Sequence, residues 1–503
     1  MLIDAEQLED HSRIDADVVI VGGGVAGLSL ARQIADSGHD VAVLESGGEK
    51  PADRTQALYK GRMTLSGAGA SRDLGDYLTS SRVRCLGGSG NVWGGKCGPL
   101  DPMDFERRAW IPYSGWPLDR RQMQPHYDRA CALLGMERFD GPNGGIGGIP
   151  DGVFSGRSKL FTPRPRRYTN YTGLSASGNY DRFKRAAVDH PRVRNYLHAN
   201  VTRIALAGNG RSVDALKVQC FNGRQLTARG RSYVLATGGI ENVRLLLASN
   251  DVHRQGIGNH SDWLGRAFAG HSTISRETTP AFLLLRSREA LTAYDNGPRD
   301  RAHVVLGASD EAQRQLQGVN FTTTLGRPVQ EATGSTRALQ TLAARLASST
   351  QRTHVDAFFM LEQTPNRSSR VSLVEERDEL GLPRVQVEMR YNDLELDWLE
   401  RMVGTLTREL GRLGVGRTQW SAKRDEVVSL MSLSRHHMGA TRMAVAPGDG
   451  VVDQNCRVHG LGTLYVAGSS VFPTSGIVNP TLTLLALAFR LGDHLATTLK
   501  AAA

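Results

Sequence analysis

Three glycines near the start of the chain have the spacing of a dinucleotide-binding turn. Gly22, Gly24 and Gly27 follow an apolar run and precede a stretch with helical periodicity. Because they lack side chains, their backbone N–H groups can approach a pyrophosphate at the positive end of the helix. Glu45 ends a second apolar run, where a carboxylate can bind an adenosine ribose and repel a 2′-phosphate. The sequence therefore predicts FAD or NAD, and not NADP, at this turn.

The elements around the turn follow from the same pattern. Four β-branched residues at 18–21 predict a buried parallel strand, and 41–44 predicts its neighbour. The helix between them is expected to run through Leu28 and Ile34 to Ser37 and to end at Gly38. This context makes the dinucleotide prediction far more specific than the glycine spacing alone.

Composition limits the other possibilities. With 503 residues and 40% hydrophobic composition, the chain is long enough for two or three domains. The net charge is +10, but no Lys/Arg run with interleaved aromatics occurs, which argues against nucleic-acid binding. H-E-x-x-H, complete G-x-S-x-G and Walker sequences are absent, and the adjacent His436 and His437 suit a shared metal badly. No metal site is predicted.

The cysteines and the apolar runs indicate in which cellular compartment the protein is expected. The five cysteines show no C-x-x-C spacing, which favours free thiols in a reducing compartment. No apolar signal segment is evident at the start of the chain, and the longest apolar run, 482–489, is too short to span a bilayer. We therefore expect a cytoplasmic protein without a membrane span.

A second glycine-rich run, 82–95, has the composition of a loop that passes close to a flat or charged group. It resembles the flavin-covering loop of the glucose-methanol-choline (GMC) oxidoreductase family. The stretches 100–105 and 114–118 also resemble the bacterial, pyranose-oxidase-like branch of that family. The resemblance implies that four residues of the loop contact FAD: Arg84, Gly88, Asn91 and Val92. Some pyranose oxidases attach FAD to a histidine that precedes the loop tryptophan. Here Val92 precedes Trp93, which implies non-covalent FAD.

Three further features in the middle of the chain resemble FAD enzymes of this kind. Val201 lies where such folds contact adenine. Ala236 and Thr237 end an apolar strand in Ala-Thr-Gly, which resembles the second dinucleotide signature of FAD enzymes. The stretch 258–266 also resembles the family, and His271 closes it.

The last seventy residues carry the most specific resemblance. The segments 435–443, 451–460 and 464–476 and the sequence that starts at Asn479 closely resemble the C-terminal signature of GMC enzymes. In the family, the catalytic base is the first residue of an H-x-x-[G/S] motif, which matches His436. The resemblance also implies FAD contacts at Gly468, Ser469 and Thr481.

The implied chemistry is alcohol oxidation. Removing the hydroxyl proton requires a base with a pKa near neutrality, and histidine has such a side chain. The carbon-bound hydrogen leaves as hydride to flavin N5. Asn479 can polarise the substrate oxygen beside His436, and it can cap a helix predicted from Pro480 to about Leu491. The positive end of that helix would favour the anionic reduced flavin. His437 is expected to point elsewhere and to be structural.

The predicted fold is α/β, with a discontinuous Rossmann-like FAD-binding domain and an α+β substrate domain built on an antiparallel sheet. A core-facing helix in the substrate domain is predicted from leucines recurring between Leu396 and Leu413. Glu362 could bind a polyol or be merely solvated. The interval between the first two FAD-binding parts is read either as a mobile lid or as a surface excursion, because residues 139–173 lack periodicity. The predicted divisions are 1–135, 186–271 and 431–503 for the FAD-binding domain, 136–185 for the insertion and 272–430 for the substrate domain.

The predicted activity is FAD-dependent oxidation of a CH–OH group of a sugar or glycoside to the carbonyl. The electron acceptor stays open between O2 and a quinone or protein carrier, and so does the oligomeric state. Three alternatives remain: a dehydrogenase of a non-sugar alcohol, a lyase with redox-silent flavin, and a flavoprotein that binds or signals without turnover.

Overall fold

The computed structural model describes residues 1–140, 154, 157–172, 180–274, 282–285, 302–328, 353–419 and 423–501. In chain order the strands are β1 (Leu2–Asp4), β2 (Arg13–Val21), β3 (Val41–Leu44), β4 (Gly61–Gly67), β5 (Ala70–Asp73), β6 (Lys96–Cys97), β7 (Phe161–Tyr168), β8 (Val193–Leu197), β9 (Asn200–Leu206), β10 (Val213–Gln219), β11 (Gln225–Leu235), β12 (His271–Ile274), β13 (Phe282–Leu285), β14 (Ala302–Ala308), β15 (Phe321–Pro328), β16 (Thr353–Glu362), β17 (Arg370–Arg377), β18 (Pro383–Arg390), β19 (Gly416–Gln419), β20 (Ser432–Leu433) and β21 (Leu464–Val466). The α-helices are α1 (Val25–Asp36), α2 (Asp53–Ala57), α3 (Tyr77–Ser80), α4 (Pro102–Phe105), α5 (Arg120–Leu133), α6 (Tyr180–Val188), α7 (Glu241–Ala248), α8 (Asp310–Leu316), α9 (Asp393–Arg412), α10 (Arg424–Leu430) and α11 (Thr481–Ala501).

The first sheet contains the predicted dinucleotide-binding strands. Its order is β1-β8-β3-β2-β11-β10-β9, and β21 pairs with β11. β2 pairs in parallel with β3 and β11, whereas β9, β10 and β11 form an antiparallel meander. Residues 18–21 and 41–44 are buried, as expected for strands covered on both faces. The predicted helix is α1, which begins at Val25 and ends at Asp36, and Gly38 follows it with a φ of +95°.

The second sheet is antiparallel, as predicted for the substrate-binding part. Its order is β19-β13-β16-β15-β14-β7-β6, and β12 pairs with both β16 and β20. The predicted amphipathic helix is α9, which begins with a capping box between Asn392 and Glu395. The leucines at 396, 399, 406 and 410 are buried along one face of α9, so this helix contributes to the core beside the sheet.

A third sheet, with the order β17-β18-β4-β5, was not predicted. In it β18 pairs in parallel with β4, so that Val387 lies opposite Met63. These two residues belong to stretches that the sequence analysis assigns to different domains. The pairing joins strands more than 300 residues apart, which no local pattern indicates. The division at residues 135, 185, 271 and 430 therefore stays a prediction.

The interval 136–185 is not one continuous loop. Residues 161–168 form β7, which pairs with β14 and β6 in the second sheet, and α6 begins at Tyr180. The strand was missed because Pro163 and Pro165 suppress the usual strand signal. β7 lies beside the two-residue edge strand β6, a place where the missing proline N–H groups are tolerated. The lid prediction for 141–153, 155–156 and 173–179 lies outside the described residues.

The C-terminal segment adds a strand to the first sheet and ends in a long helix. β21 adds to β11, and α11 then packs between α1 and α5. The helix begins at Thr481, one residue later than predicted, and extends ten residues beyond the predicted end, to Ala501. All five cysteines are buried free thiols. Among the described helices, none combines the length and the apolar character needed to cross a membrane.

Candidate active site

The glycine turn between β2 and α1 is packed tightly on one side and open on the other. A Cβ on Gly22 would lie 2.6 Å from the carbonyl oxygen of Ala236, and one on Gly27 would lie 2.0 Å from that of Gly22. Backbone contacts therefore exclude side chains at these two positions. In contrast, a Cβ on Gly24 or Gly468 would meet no protein atom within 4 Å. The space beside these two glycines is open to a ligand, as pyrophosphate binding by backbone N–H groups requires.

Glu45 fastens the glycine turn to the end of β3. Its Oε2 accepts a hydrogen bond from the N–H of Gly23 and its Oε1 from the N–H of Gly47, both at 2.8 Å. Burial raises the pKa of this carboxyl group, while the two backbone hydrogen bonds act in the opposite direction. The carboxylate thus has a structural role in addition to the predicted ribose contact. It lines the same cavity as Val201.

The glycine-rich loop at 82–95 is held by its own side chains. Asn91 donates hydrogen bonds to the carbonyls of Leu86 at 3.0 Å and Gly88 at 2.9 Å. The N–H of Gly87 donates to the carbonyl of Gly23 at 2.7 Å, which ties the loop to the glycine turn. Asn91 therefore shapes the loop, although it was predicted to contact FAD.

Arg84 extends from this loop into a buried charged cluster. Its guanidinium lies 4.1 Å from the ring centre of Tyr59 and donates to Ser46 at 2.9 Å and Glu241 at 2.8 Å. Burial alone would raise the pKa of Glu241, but the charges of Arg244, Arg84 and Arg82 lower it to about 2. This cluster forms one wall of the cavity beside Glu45.

One cavity of about 510 Å³ runs from the glycine turn to the predicted reaction site. Of the residues predicted as catalytic or cofactor-binding, all but Gly27 and Asn91 lie in its wall. These wall residues are Gly22, Gly24, Glu45, Arg84, Gly88, Val92, Val201, Ala236, Thr237, His436, Gly468, Ser469, Asn479 and Thr481. The cavity thus joins predicted residues that are up to 459 positions apart in the chain, from Gly22 to Thr481.

His436 and Asn479 meet at one end of the cavity. The side-chain Nδ2 of Asn479 lies 3.1 Å from Nε2 of His436. Burial lowers the pKa of His436 well below its usual range, and the neighbouring His271 and His437 lower it further. The imidazole is therefore neutral at physiological pH, which is the protonation state that a general base requires.

His271 is a neighbour of His436 that the sequence analysis gave no role. Its Nδ1 lies 2.9 Å from Nδ1 of His436, and its Nε2 lies 3.0 Å from the carbonyl oxygen of Gly476. The side chain is fully buried, and burial lowers its pKa to about 4. The resemblance at 258–266 points to this region, but no local signal shows that His271 contacts His436.

His437 points away from His436, as predicted. Its Nε2 lies 3.1 Å from the hydroxyl of Tyr77 and 3.4 Å from that of Ser81. Burial lowers its pKa to about 3. Its carbonyl oxygen accepts a hydrogen bond from Ser469 at 2.6 Å, which connects two segments of the cavity wall. These contacts indicate a structural residue.

Glu362 has neither of the roles considered from the sequence. It is fully buried and forms a two-pronged ion pair with Arg108, at 2.6 and 2.7 Å. The N–H of Asn320 donates to the same carboxylate at 2.8 Å. The carboxylate is therefore neither solvated nor in the described wall of the cavity. Its partner Arg108 is 254 residues distant in sequence, so the strand-end position of Glu362 could not reveal the pair.

Lys96 is a cavity residue that the sequence analysis missed. It lies in the wall shared with His436 and Asn479. Burial, assisted by the charge of Arg166, lowers its pKa to about 7.

Two parts of the chain match known protein families. The family description GMC oxidoreductase matches residues 365–488, and the description FAD dependent oxidoreductase matches residues 17–142. The chain is 24% identical to 6'''-hydroxyparomomycin C oxidase of Streptomyces lividus, an alignment that covers 96% of this chain and 92% of the relative. It is 22% identical to the large subunit of fructose dehydrogenase of Gluconobacter japonicus, with 97% and 99% covered.

Solved structures show the same fold. A formate oxidase superposes with a TM-score of 0.61 at 16% identity, covering 98% of this chain and all of the other. Pyridoxine 4-oxidase from Mesorbium loti gives a TM-score of 0.56 at 19% identity, covering 95% and 98%. The open space beside Gly24 and Gly468 also fits the pyrophosphate of a dinucleotide. The chain is an FAD-dependent oxidoreductase whose residues 365–488 match the GMC oxidoreductase family.

Proposed function

We propose that this protein oxidises a CH–OH group of a sugar or glycoside to the carbonyl, with His436 as the proton acceptor. One observation carries the proposal. A neutral imidazole, His436, and an amide donor, Asn479, lie 3.1 Å apart in the wall of the cavity that the glycine turn also lines. A base and a hydrogen-bond donor at one point suit an alcohol that must lose a proton while its oxygen is polarised.

The cavity residues divide into those that would hold FAD and those that would act on the alcohol. Gly24 would bind the pyrophosphate, Glu45 the ribose and Val201 the adenine. Gly22 would shape the turn, because its N–H already donates to the carbonyl of Leu44 at 2.8 Å. Val92, the residue before Trp93, has no group that bonds covalently to a flavin, so FAD would be held non-covalently. Bound FAD supplies the acceptor for the hydrogen that leaves the carbon as hydride.

At the reaction site, the substrate hydroxyl would donate a hydrogen bond to Nε2 of His436 and accept one from the amide of Asn479. Because the pKa of His436 is lowered by burial, the neutral base is fully populated at pH 7. The same low pKa makes His436 a weak proton acceptor. The Asn479 donor compensates for this by stabilising negative charge on the oxygen as the proton leaves.

The names of the relatives favour a carbohydrate substrate. They include paromamine 6'-oxidase, a fructose dehydrogenase and C-glycoside 3-oxidases. A 2-methyl-1,2-propanediol dehydrogenase is also similar, at 21% identity over 95% of this chain. That match supports the second candidate, a dehydrogenase of a non-sugar alcohol.

An anaerobic screen tests the proposal. Sugars, glycosides and simple diols are mixed with the FAD-loaded protein, and the absorbance near about 450 nm is followed before air is admitted. The proposal predicts bleaching by a sugar or glycoside. Bleaching by a diol alone would favour the second candidate. If no alcohol bleached the flavin, the proposal would fail, and a lyase with redox-silent flavin would become the better reading.

A further inference from the structure

The two buried histidines at the reaction site form a hydrogen-bond chain with only one consistent assignment of protons. The chain runs from the carbonyl of Gly476 through His271 and His436 to Asn479. Its three distances are 3.0 Å, 2.9 Å and 3.1 Å.

The carbonyl oxygen of Gly476 determines which nitrogen of His271 carries the proton. The Gly476 oxygen can only accept, so Nε2 of His271 carries a hydrogen and donates it. His271 is neutral, because burial lowers its pKa to about 4. A neutral imidazole has one N–H, so Nδ1 of His271 is a bare acceptor. The hydrogen between the two rings must therefore be on Nδ1 of His436.

The tautomer of His436 follows from that of His271. His436 is neutral, so a hydrogen on its Nδ1 leaves Nε2 bare. The amide NH2 of Asn479 donates to this bare nitrogen, which agrees with the assignment at the other end. Nε2 is the atom beside Asn479 in the cavity wall, and a base must present a bare nitrogen to the substrate hydroxyl.

We propose that His271 is a positioning residue that holds His436 in the Nδ1–H tautomer, so that bare Nε2 faces the substrate. The inference rests on the proposed role of His436 as the base. His271 does not line the cavity, so it would act only through His436. Its own position is fixed by backbone pairing, since its N–H lies 3.2 Å from the Ser434 hydroxyl and its carbonyl accepts from the Ser434 N–H at 2.9 Å.

Because His271 is neutral, it affects His436 differently from a carboxylate partner. In many enzymes a carboxylate orients the catalytic histidine and also stabilises its protonated form. Here the orienting group is an imidazole backed by a carbonyl. The nearby carboxylate of Glu362 is already held by Arg108. His271 therefore sets the tautomer of His436 without raising its proton affinity, which agrees with the low pKa of the base.

Two substitutions separate the functions of the His271 ring. In His271→Asn, the Oδ1 atom can replace Nδ1 as an acceptor, while the donor to Gly476 is lost. In His271→Gln, the side-chain amide can still donate to Gly476, while the acceptor at the δ position is lost. We expect His271→Asn to keep kcat/KM within about 10-fold of wild type, and His271→Gln to lose about 100- to 10,000-fold, the range for a general base.

The tautomer itself can be read by long-range ¹H–¹⁵N correlation spectra of ¹⁵N-histidine-labelled holoenzyme, with the His436 signals identified by their loss in His436→Ala. We expect wild type and His271→Asn to show a protonated Nδ1 and a bare Nε2 at residue 436. His271→Gln should show a mixture or the reverse. A wild-type spectrum with the proton on Nε2, or equal losses of activity in both variants, would overturn the inference. Because the spectra need no substrate, they decide it even if no alcohol reduces the flavin, an outcome that would count only against the proposed function.

Discussion

Replacing Glu45 with glutamine should weaken FAD binding, because both oxygens of this carboxylate hold the walls of the cofactor site. One accepts from the N–H of Gly23 and the other from that of Gly47, each at 2.8 Å. Glutamine supplies one acceptor and one NH2 donor, so one of these N–H groups loses its acceptor and faces another donor. A hydrogen bond to a charged group is worth about 1.5–3 kcal/mol. If FAD binds only the native turn, its Kd should rise roughly 10- to 150-fold.

The assay is a titration of apoprotein with FAD, followed by quenching of flavin fluorescence. Glu395→Gln is the matched control. Glu395 is also buried and accepts backbone N–H bonds, from Thr364 at 2.6 Å and Asn392 at 2.9 Å, but it is absent from the described cavity wall. We expect the control to reduce stability and to leave the Kd for FAD close to the wild-type value. A Glu45→Gln protein that binds FAD as tightly as wild type would refute this reasoning, as would an equal loss of affinity in the control.

Three further predictions concern the cofactor, the oxygen-polarising donor and the structural histidine. Acid precipitation of the holoenzyme should leave all of the flavin in the supernatant, since Val92 offers no covalent attachment; yellow colour in the washed pellet would contradict this. Asn479→Ala should retain FAD and lower the rate of anaerobic flavin reduction about 100- to 1,000-fold. An unchanged rate would argue against a role for the amide. The pKa of His437 is about 3 in the folded protein and 6.5 in the unfolded chain. Between these pH values the unfolded state binds more protons than the folded state, so the free energy of unfolding decreases as the pH falls. At pH 5 this loss is about 2 kcal/mol relative to pH 8, and urea unfolding should show a smaller change between these pH values in His437→Gln than in wild type.

The parts of the structure that the sequence predicted are those fixed by local chemistry. The strand at 18–21 is continuous in β-branched residues, and the glycines after it permit a tight turn onto a helix. The leucine spacing of α9 likewise marks its buried face. Each of these features depends on neighbours within a few turns of the chain, and for that reason composition and periodicity were sufficient.

The parts that were missed depend on partners far away in sequence. Glu362 ends a strand and has an ordinary sequence context, but folding brings Arg108 to it across 254 residues. His271 contacts His436 across 165 residues. The pairing of β4 with β18 also has no local signal. The family resemblance supplied His436 and Asn479, but not the groups that orient them.

His436 is proposed to take the proton from an alcohol beside the cofactor. Stopped-flow reduction of the flavin under anaerobic conditions tests this role most directly, with the best substrate from the screen and with wild type compared to His436→Ala. Both proteins should carry FAD, because the cofactor contacts proposed at the glycine turn are distant from this substitution. We expect the reduction rate of His436→Ala to fall by about 100- to 10,000-fold. A fully loaded His436→Ala protein whose flavin is reduced at the wild-type rate would contradict the account.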